Sequence, residues 1–191
     1  MKNFNYICNI YSVVSSTFKI LEKIDMIKKI VSFDFDGTLI HTPTPESGKH
    51  EWEKKTGLSW AGRGWWGNAE SLNTNVFYPP VNQWVYNQFE KYQADDSNYV
   101  FIATGRLHRL ERQVRKVLDL HDIKCDLYCN TGGDTFYFKC HLFETLIKAN
   151  PHADELIMFD DRHEHLHKFV EWAKKQPIKV TIIDVINKVT M

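Results

Sequence analysis

The sequence is poor in cysteine, has no long apolar run and shows no excess of either charge. Its four cysteines are Cys8, Cys125, Cys129 and Cys140. Their spacing matches neither a C-x2-C zinc pattern nor a disulfide-dense secreted scaffold, so we expect buried free thiols in a reducing compartment. No stretch reaches the roughly 18 apolar residues that span a bilayer. We therefore predict a cytoplasmic protein that does not contact a membrane.

The charges balance, with 24 Lys and Arg against 24 Asp and Glu. This balance argues against a basic nucleic-acid coat, although a local basic patch stays open. It also argues against a long disordered tail. With 43% hydrophobic residues among 191, the chain is long enough to bury a core as one domain.

Residues 1–25 are predicted to be an N-terminal extension, outside a domain that covers residues 26–191. The segment MIKKIVSFDFDGTL begins at Met26 and has the form of a natural start. A secretory signal is disfavoured, because Asn5 and Asn9 interrupt the apolar run and no cleavage site follows.

Apolar runs alternate with amphipathic stretches along most of the domain. The pattern predicts strands at 28–33, 99–103, 125–129, 155–159 and 179–185, and helices at 81–92, 107–120, 139–149 and 163–174. Such alternation is typical of an α/β fold with a parallel, doubly wound sheet. Residues 41–80 show no clear period, so we expect loops and short pieces of structure that form a flap or small cap insertion after the first strand. An insertion of this size favours an open site.

Polar side chains follow the ends of three predicted strands: Asp34, Asp36, Thr104, Asp160 and Asp161. Ligands of parallel sheets bind at this edge, and Lys139 is expected to enter from the start of a helix. Carboxylates this close together need a cation, and oxygen ligands suit Mg2+. A carboxylate can be a nucleophile, and a second carboxylate two residues later can protonate a leaving oxygen. Thr104 and Lys139 would then hold and neutralise a phosphoryl group.

Four motifs in this order resemble the haloacid dehalogenase-like (HAD) phosphohydrolase superfamily: DFDGT at 34–38, ATGR at 103–106, Lys139, and FDDR at 159–162. The resemblance implies a Rossmann-like three-layer sandwich with a central parallel sheet. It also implies that Asp34 is the nucleophile and Asp36 the acid/base. An acidic residue at position 36 favours phosphatase chemistry over that of the dehalogenases or P-type ATPases.

The same resemblance implies roles for the other motif residues. Thr104 would bind phosphoryl oxygens and Lys139 would stabilise charge. The implied Mg2+ ligands are Asp34, Asp36, Asp160 and Asp161, with the direct ligand of the last pair left open. The residues expected around the substrate phosphate are Gly37, Thr38, Gly105 and Arg106.

A narrower likeness involves FDFDGTLIHTPTP, RGWWG, ATGRLHRLERQV, TFYFK and FDDRHEHLHKF, which resemble the HAD domain of Swiss Army Knife RNA-repair-like proteins. We predict a Mg2+-dependent phosphomonoesterase that forms an aspartyl-phosphate and acts on phosphorylated nucleic-acid ends. A small phosphate ester or nucleotide is the alternative substrate. A binding module that holds phosphorylated ends without turnover is the alternative of another class, and the oligomeric state stays open.

The Trp-rich part of the insertion allows two interpretations. Trp65 and Trp66, close to Arg63, could form a small aromatic core that covers the site. They could instead stack on nucleobases, which makes both of them candidate substrate-binding residues.

Two helices also carry patterns with two interpretations. The segment His163–His167 satisfies the H-E-x-x-H zinc pattern, but it directly follows FDDR and lacks an evident third ligand, which favours a solvated helix start. The polar face of the helix at 107–120 is either solvated or contacts a phosphate backbone. Its basic residues are Arg109, Arg112 and Lys116.

Overall fold

A computed structural model of the protein describes residues 27–191, so the predicted extension and Cys8 lie outside the described residues. The strands are β1 (Lys29–Phe33), β2 (Asn98–Leu107), β3 (Asp126–Asn130), β4 (Glu155–Asp160), β5 (Lys179–Asp184) and β6 (Val189–Thr190). They form one sheet in the order β3-β2-β1-β4-β5-β6. Every neighbouring pair is parallel except the last, in which β6 runs antiparallel to β5.

The helices are α1 (Pro45–Thr56), α2 (Gln83–Gln93), α3 (Glu111–Asp119), α4 (Thr135–Ala149) and α5 (His163–Ala173). The last four cover the two faces of the sheet. One apolar cluster joins the sheet to α2 and α3 through residues such as Phe89 and Val114. A second cluster joins the other face to α4 and α5 through Phe143 and Phe169. This arrangement confirms the predicted three-layer α/β sandwich.

The central strand β1 determines where the site lies. Phe33, its last residue, is paired with Ile102 of β2 on one side and Phe159 of β4 on the other. All three side chains are buried. Because the strands are parallel, the residues that follow these positions meet at one edge of the sheet.

The insertion at 41–80 is more regular than predicted, because it contains helix α1 and a 3-10 helix at Ala69–Leu72. Thr44 caps α1 in a capping box with Ser47, and Pro45 occupies the first turn. These are local helix signals. Gly48 is the only buried residue of α1, so this surface helix lacks the apolar period on which the prediction relied.

Two boundaries near the site also differ from the predicted ones. Asp134 caps α4 by accepting hydrogen bonds from the backbone N–H groups of Phe136 and Tyr137, so the helix begins at Thr135 and Lys139 lies in its second turn. Strand β2 continues beyond Ala103 to Leu107, with a shift of register against β3 after Thr104.

The structure also bears on the cysteines and on membrane spans. Cys125, Cys129 and Cys140 are free, and burial raises the pKa of the Cys129 thiol to about 11. Across residues 27–191, no helix is both long enough and apolar enough to cross a membrane.

Candidate active site

Three charged side chains form the buried centre of the site. Asp34 directly follows β1, Asp160 ends β4, and Lys139 reaches them from α4. The Lys139 ammonium donates hydrogen bonds to Asp34 Oδ1 at 2.6 Å and to Asp160 Oδ2 at 2.7 Å. Each of the three side chains is at most 2% exposed. The prediction that Lys139 joins the carboxylates is therefore confirmed in geometry, whereas the expected open site is not found at Asp34.

The centre carries more negative than positive charge, since Asp161 lies beside these groups. Burial raises the pKa of Asp34, the Lys139 ammonium offsets part of that rise, and the charges of Asp160 and Asp161 add to it. Burial also raises the pKa of Asp161, and the Asp160 carboxylate raises it further. For Lys139, burial acts to lower the pKa, but the Asp160 and Asp34 carboxylates outweigh it and raise the pKa. The Lys139 ammonium, together with the more distant charge of Arg162, thus faces three carboxylates.

This donor set fits a divalent cation. Asp34 Oδ2 is buried and has no hydrogen-bond partner among the described residues, and carboxylate oxygens are the ligands that Mg2+ prefers. In residues 27–191, no three His, Cys, Asp or Glu side chains are already grouped as a metal cluster. The Lys139 ammonium, which bridges Asp34 and Asp160, occupies part of the space between them.

The DFDGT turn brings Asp161 to the first motif. Gly37 has a φ of +74°, and a Cβ atom at this position would collide with Asp161 Oδ2, so only glycine allows this approach. The Thr38 hydroxyl donates to Asp161 Oδ1 at 3.1 Å. Gly37 and Thr38, predicted at the substrate phosphate, thus make contacts here that hold a carboxylate of the fourth motif.

Asp36 lies in different surroundings from Asp34. Its carboxylate accepts hydrogen bonds from Arg106 Nε at 2.9 Å and Nη2 at 2.8 Å, and from the Thr42 hydroxyl at 2.7 Å. Within the described residues, the hydrogen bonds of the Asp36 carboxylate are to Arg106 and Thr42, and its assignment as a metal ligand stays a prediction. Arg106 is 2% exposed and its guanidinium binds Asp36, so its contact with substrate also stays a prediction.

Thr104 and Gly105 lie where β2 becomes irregular. Thr104 is fully buried, and its hydroxyl accepts a hydrogen bond from the Arg106 backbone N–H at 3.1 Å. A Cβ atom on Gly105 would lie 2.7 Å from Arg162 Nη2 and 2.9 Å from Thr135 Oγ1. Gly105 therefore makes room for these two side chains.

Arg162 and Thr135 are site residues that the sequence reasoning missed. The charge of Arg162 acts on Asp34 and lowers its pKa, although less than burial raises it. No described residue accepts a hydrogen bond from the Arg162 guanidinium. The signal for Arg162 was present, because it is the last residue of the FDDR motif. Nothing local to Thr135 distinguishes it from an ordinary first residue of a helix.

The burial of Trp65 corrects the prediction that this side chain stacks on nucleobases. It is 2% exposed, its indole N–H donates to the Pro43 carbonyl at 2.9 Å, and its ring packs between Trp60 and Phe77. The alternative of a small aromatic core therefore holds for Trp65. Trp66 is 47% exposed, and its ring lies 4.9 Å from the guanidinium carbon of Arg106.

Helices α5 and α3 carry the two patterns for which the sequence allowed two interpretations. His163 and His167 share a face of α5 with their rings 5.5 Å apart, and His163 Nδ1 lies 3.7 Å from Asp184 Oδ2. Neither histidine contacts the three acids around Lys139. On α3, the apolar side is buried through Val114, Val117 and Leu118, which confirms the predicted amphipathic face.

The basic side of α3 borders a shallow, open groove, whose lining also includes the acids Glu111 and Asp119. Arg112 and Lys116 line it without an ion pair among the described residues, whereas Arg115 pairs with Glu111. Arg109 donates a hydrogen bond to the Gly67 carbonyl at 3.1 Å. The groove therefore adjoins the insertion that packs against Arg106.

A three-layer α/β fold with an acid after its first strand, a buried lysine and an acid pair after β4 is the arrangement of a HAD-like domain. The chain belongs to the family described as HAD domain family 1 in Swiss Army Knife RNA repair proteins, whose model matches residues 53–191. That match begins after Asp34 and Asp36. Asp34 contacts the matched residues through Lys139, and Asp36 contacts them through Arg106.

Two solved structures agree on the fold. A chain of the Pnkp1/Rnl/Hen1 complex is 17% identical with a TM-score of 0.53, over 82% of this chain and 46% of that one. A chain of the Pnkp1/Rnl/Hen1 RNA repair complex is 16% identical with a TM-score of 0.52, over 82% and 42%. This protein therefore spans less than half the length of those chains. A haloacid dehalogenase-like hydrolase from Streptococcus pneumoniae has a TM-score of 0.47 at 16% identity, over 85% and 91%. The comparison with curated proteins gives no match.

Proposed function

We propose that this protein is a Mg2+-dependent phosphomonoesterase that forms an aspartyl-phosphate on Asp34. The observation that carries the proposal is the pairing of Asp34 Oδ1 with Lys139, which leaves Oδ2 without a hydrogen-bond partner among the described residues. Oδ2 is then the oxygen that attacks phosphorus. The bond between phosphorus and the leaving oxygen breaks as the new bond forms.

The second carboxylate supplies the proton. Asp36 Oδ1 accepts hydrogen bonds from Thr42 and from two guanidinium nitrogens of Arg106, whereas Oδ2 accepts one from Arg106. Oδ2 therefore has the larger free capacity, and we assign to it the proton that passes to the leaving oxygen. The same carboxylate then takes a proton from water, which attacks phosphorus and breaks its bond to Asp34.

The charge balance supports the requirement for Mg2+. Asp34, Asp160 and Asp161 would hold the ion, which when bound offsets negative charge on these groups and on the phosphoryl group. Lys139 keeps Asp34 oriented and neutralises part of the same charge. Thr104 and Arg162 are the proposed partners of the phosphoryl oxygens, because both lie beside the irregular end of β2.

The substrate we propose is the terminal phosphate of a nucleic-acid strand. Asp34 is deeply buried, and a terminal monoester reaches a buried nucleophile more readily than an internal phosphodiester does. The groove of α3 offers the free charges of Arg112 and Lys116 to the strand that follows. The family belongs to RNA repair proteins, which favours the same substrate class over small phosphate esters.

The chemistry can be tested by measuring inorganic phosphate released with Mg2+ from an aryl phosphate, from nucleotides, and from oligonucleotides phosphorylated at the 3′ or 5′ end. We expect release by the wild type and a loss of at least about 10³-fold in Asp34→Asn, because the amide cannot act as the nucleophile. Binding of phosphorylated ends without any release would instead support the non-catalytic alternative. Release that persists in Asp34→Asn would refute the role of this residue.

The nucleic-acid substrate needs a separate test with matched charge changes. Arg112→Gln with Lys116→Gln should lower kcat/KM for a phosphorylated oligonucleotide and flatten its salt dependence, because fewer counterions are released. Lys148→Gln with Lys175→Gln removes the same charge from exposed positions outside the groove and should change neither. Equal effects of the two pairs would contradict strand binding on α3 and favour a small phosphate ester.

A further inference from the structure

Arg106 connects the insertion at 41–80 to Asp36. Two of its guanidinium nitrogens, Nε and Nη2, face the Asp36 carboxylate. The third nitrogen, Nη1, donates to the Ser71 hydroxyl at 2.7 Å and to the Trp66 carbonyl at 2.8 Å. Because the guanidinium is rigid and planar, a group that fixes Nη1 also fixes the orientation of Nε and Nη2.

Ser71 is built to accept this hydrogen bond. It is 1% exposed, and its hydroxyl donates its own proton to the Asn68 carbonyl at 2.7 Å. With the proton committed to Asn68, a lone pair remains for Arg106 Nη1. Asn68 in turn caps the 3-10 helix that contains Ser71, because its side chain accepts a hydrogen bond from the Glu70 backbone N–H. The position of Ser71 therefore depends on the insertion's own hydrogen bonds.

The insertion reaches Asp36 from a second direction. Thr42, near its beginning, donates its hydroxyl proton to Asp36 Oδ1 at 2.7 Å. The carboxylate is thus held between Thr42 and Arg106, and the far side of Arg106 is held by Ser71 and Trp66. Each of these contacts outside the DFDGT and ATGR motifs comes from residues 41–80.

We infer that Ser71 is a positioning residue for the acid/base step, acting through Arg106 on Asp36, and that the insertion holds this carboxylate in place. The inference rests on the proposed function, in which Asp36 protonates the leaving oxygen. Loss of the Ser71 hydroxyl leaves Nη1 with the Trp66 carbonyl alone, so the plane of the guanidinium is held less firmly. The Asp36 carboxylate then departs from the direction in which it delivers its proton.

The test compares leaving groups in Ser71→Ala. An aryl phosphate has a stable leaving oxyanion that needs little protonation, whereas an alkyl phosphate depends on the acid. We expect kcat/KM to fall about tenfold or more for the alkyl phosphate and less than about threefold for the aryl phosphate. Ser59→Ala is the matched control, because Ser59 is an exposed serine of the same insertion; neither substrate should be affected.

A second variant tests the inference independently of any folding defect in Ser71→Ala. Thr42→Val keeps the side-chain shape but removes the hydroxyl at the other side of Asp36, and it should show the same split between substrates. Equal losses on both substrates, or no loss, in the folded variants would overturn the inference while the wild type still releases phosphate. Absence of release from every substrate by the wild type would overturn the proposed function, and the inference with it.

Discussion

Binding of Mg2+ to the acids around Lys139 should raise the melting temperature of the protein, and this can be measured without any substrate. The centre holds the carboxylates of Asp34, Asp160 and Asp161 against the Lys139 ammonium and the charge of Arg162, so the folded protein gains from a cation that the unfolded chain does not bind. A ligand at 100 times its Kd stabilises the folded state by about 2.7 kcal/mol. For a domain of this size, each kcal/mol raises Tm by about 2–4 °C. We therefore expect a rise of roughly 5–10 °C at saturating Mg2+.

Replacement of one acid should reduce this rise. Asp161→Asn removes a charge but keeps an oxygen that can accept the hydrogen bond from Thr38. Burial and the Asp160 charge already raise the pKa of Asp161, so without metal the variant should be at least as stable as the wild type. Its response to Mg2+ should fall to less than about half. Asp96→Asn, the same change at an exposed position, should keep the full response.

The assay is thermal unfolding followed by fluorescence in chelator-treated protein, with Mg2+ added stepwise at constant ionic strength. Added Na+ at the same ionic strength controls for general screening of the site. A Tm that does not respond to Mg2+ would refute the inference that the acids around Lys139 bind a cation. An equal response in Asp161→Asn and the wild type would show that Asp161 is not part of the binding site.

Three further predictions follow from the buried contacts. Without metal, Asp34→Asn should be more stable than the wild type near pH 8 and equal to it near pH 4. The reason is that burial raises the pKa of Asp34, so that its ionisation costs stability as pH rises. Denaturant unfolding at several pH values measures this difference. Gly105→Ala should lower kcat by tenfold or more, since the new methyl group displaces Arg162 and crowds Thr135; an unchanged kcat in the folded variant would contradict this. Trp65→Ala should cost about 3–5 kcal/mol of unfolding free energy, whereas Trp66→Ala should cost less than about 1.5 kcal/mol, as urea titrations of both variants can show.

The sequence was sufficient for the sheet because that prediction depends on burial. Strands such as β1 and β4 are buried on both faces, so their apolar runs are continuous and easy to recognise. The motif residues follow these strands, and a parallel sheet brings the ends of β1, β2 and β4 together whatever the loops do. The proximity of Asp34, Lys139 and Asp160 was therefore predictable.

The partners of each side chain were not predictable in the same way. Arg106 lies near the end of β2 and was expected at the phosphate, but its orientation depends on Ser71 and Trp66, which are more than 30 residues away in sequence. The insertion has no apolar period that would have revealed how it folds back on the site. Trp65 was ambiguous for a related reason. A tryptophan in a loop can pack on its own protein or on a ligand, and only the tertiary structure shows that the Trp65 ring lies against Gly48.

The two acids of the DFDGT turn are not interchangeable, and their surroundings explain why. Asp34 shares the Lys139 ammonium with Asp160, so each carboxylate receives only part of the available positive charge. Asp36 has a guanidinium and a hydroxyl to itself. Two neighbouring carboxylates in unlike environments differ in their acid/base behaviour, so they can carry out different steps of one reaction. In the proposed function, Asp34 attacks through an oxygen left unpaired, as Oδ2 is among the described residues. The proton transfer proposed for Asp36 needs a fixed direction, and Arg106 and Thr42 hold that carboxylate.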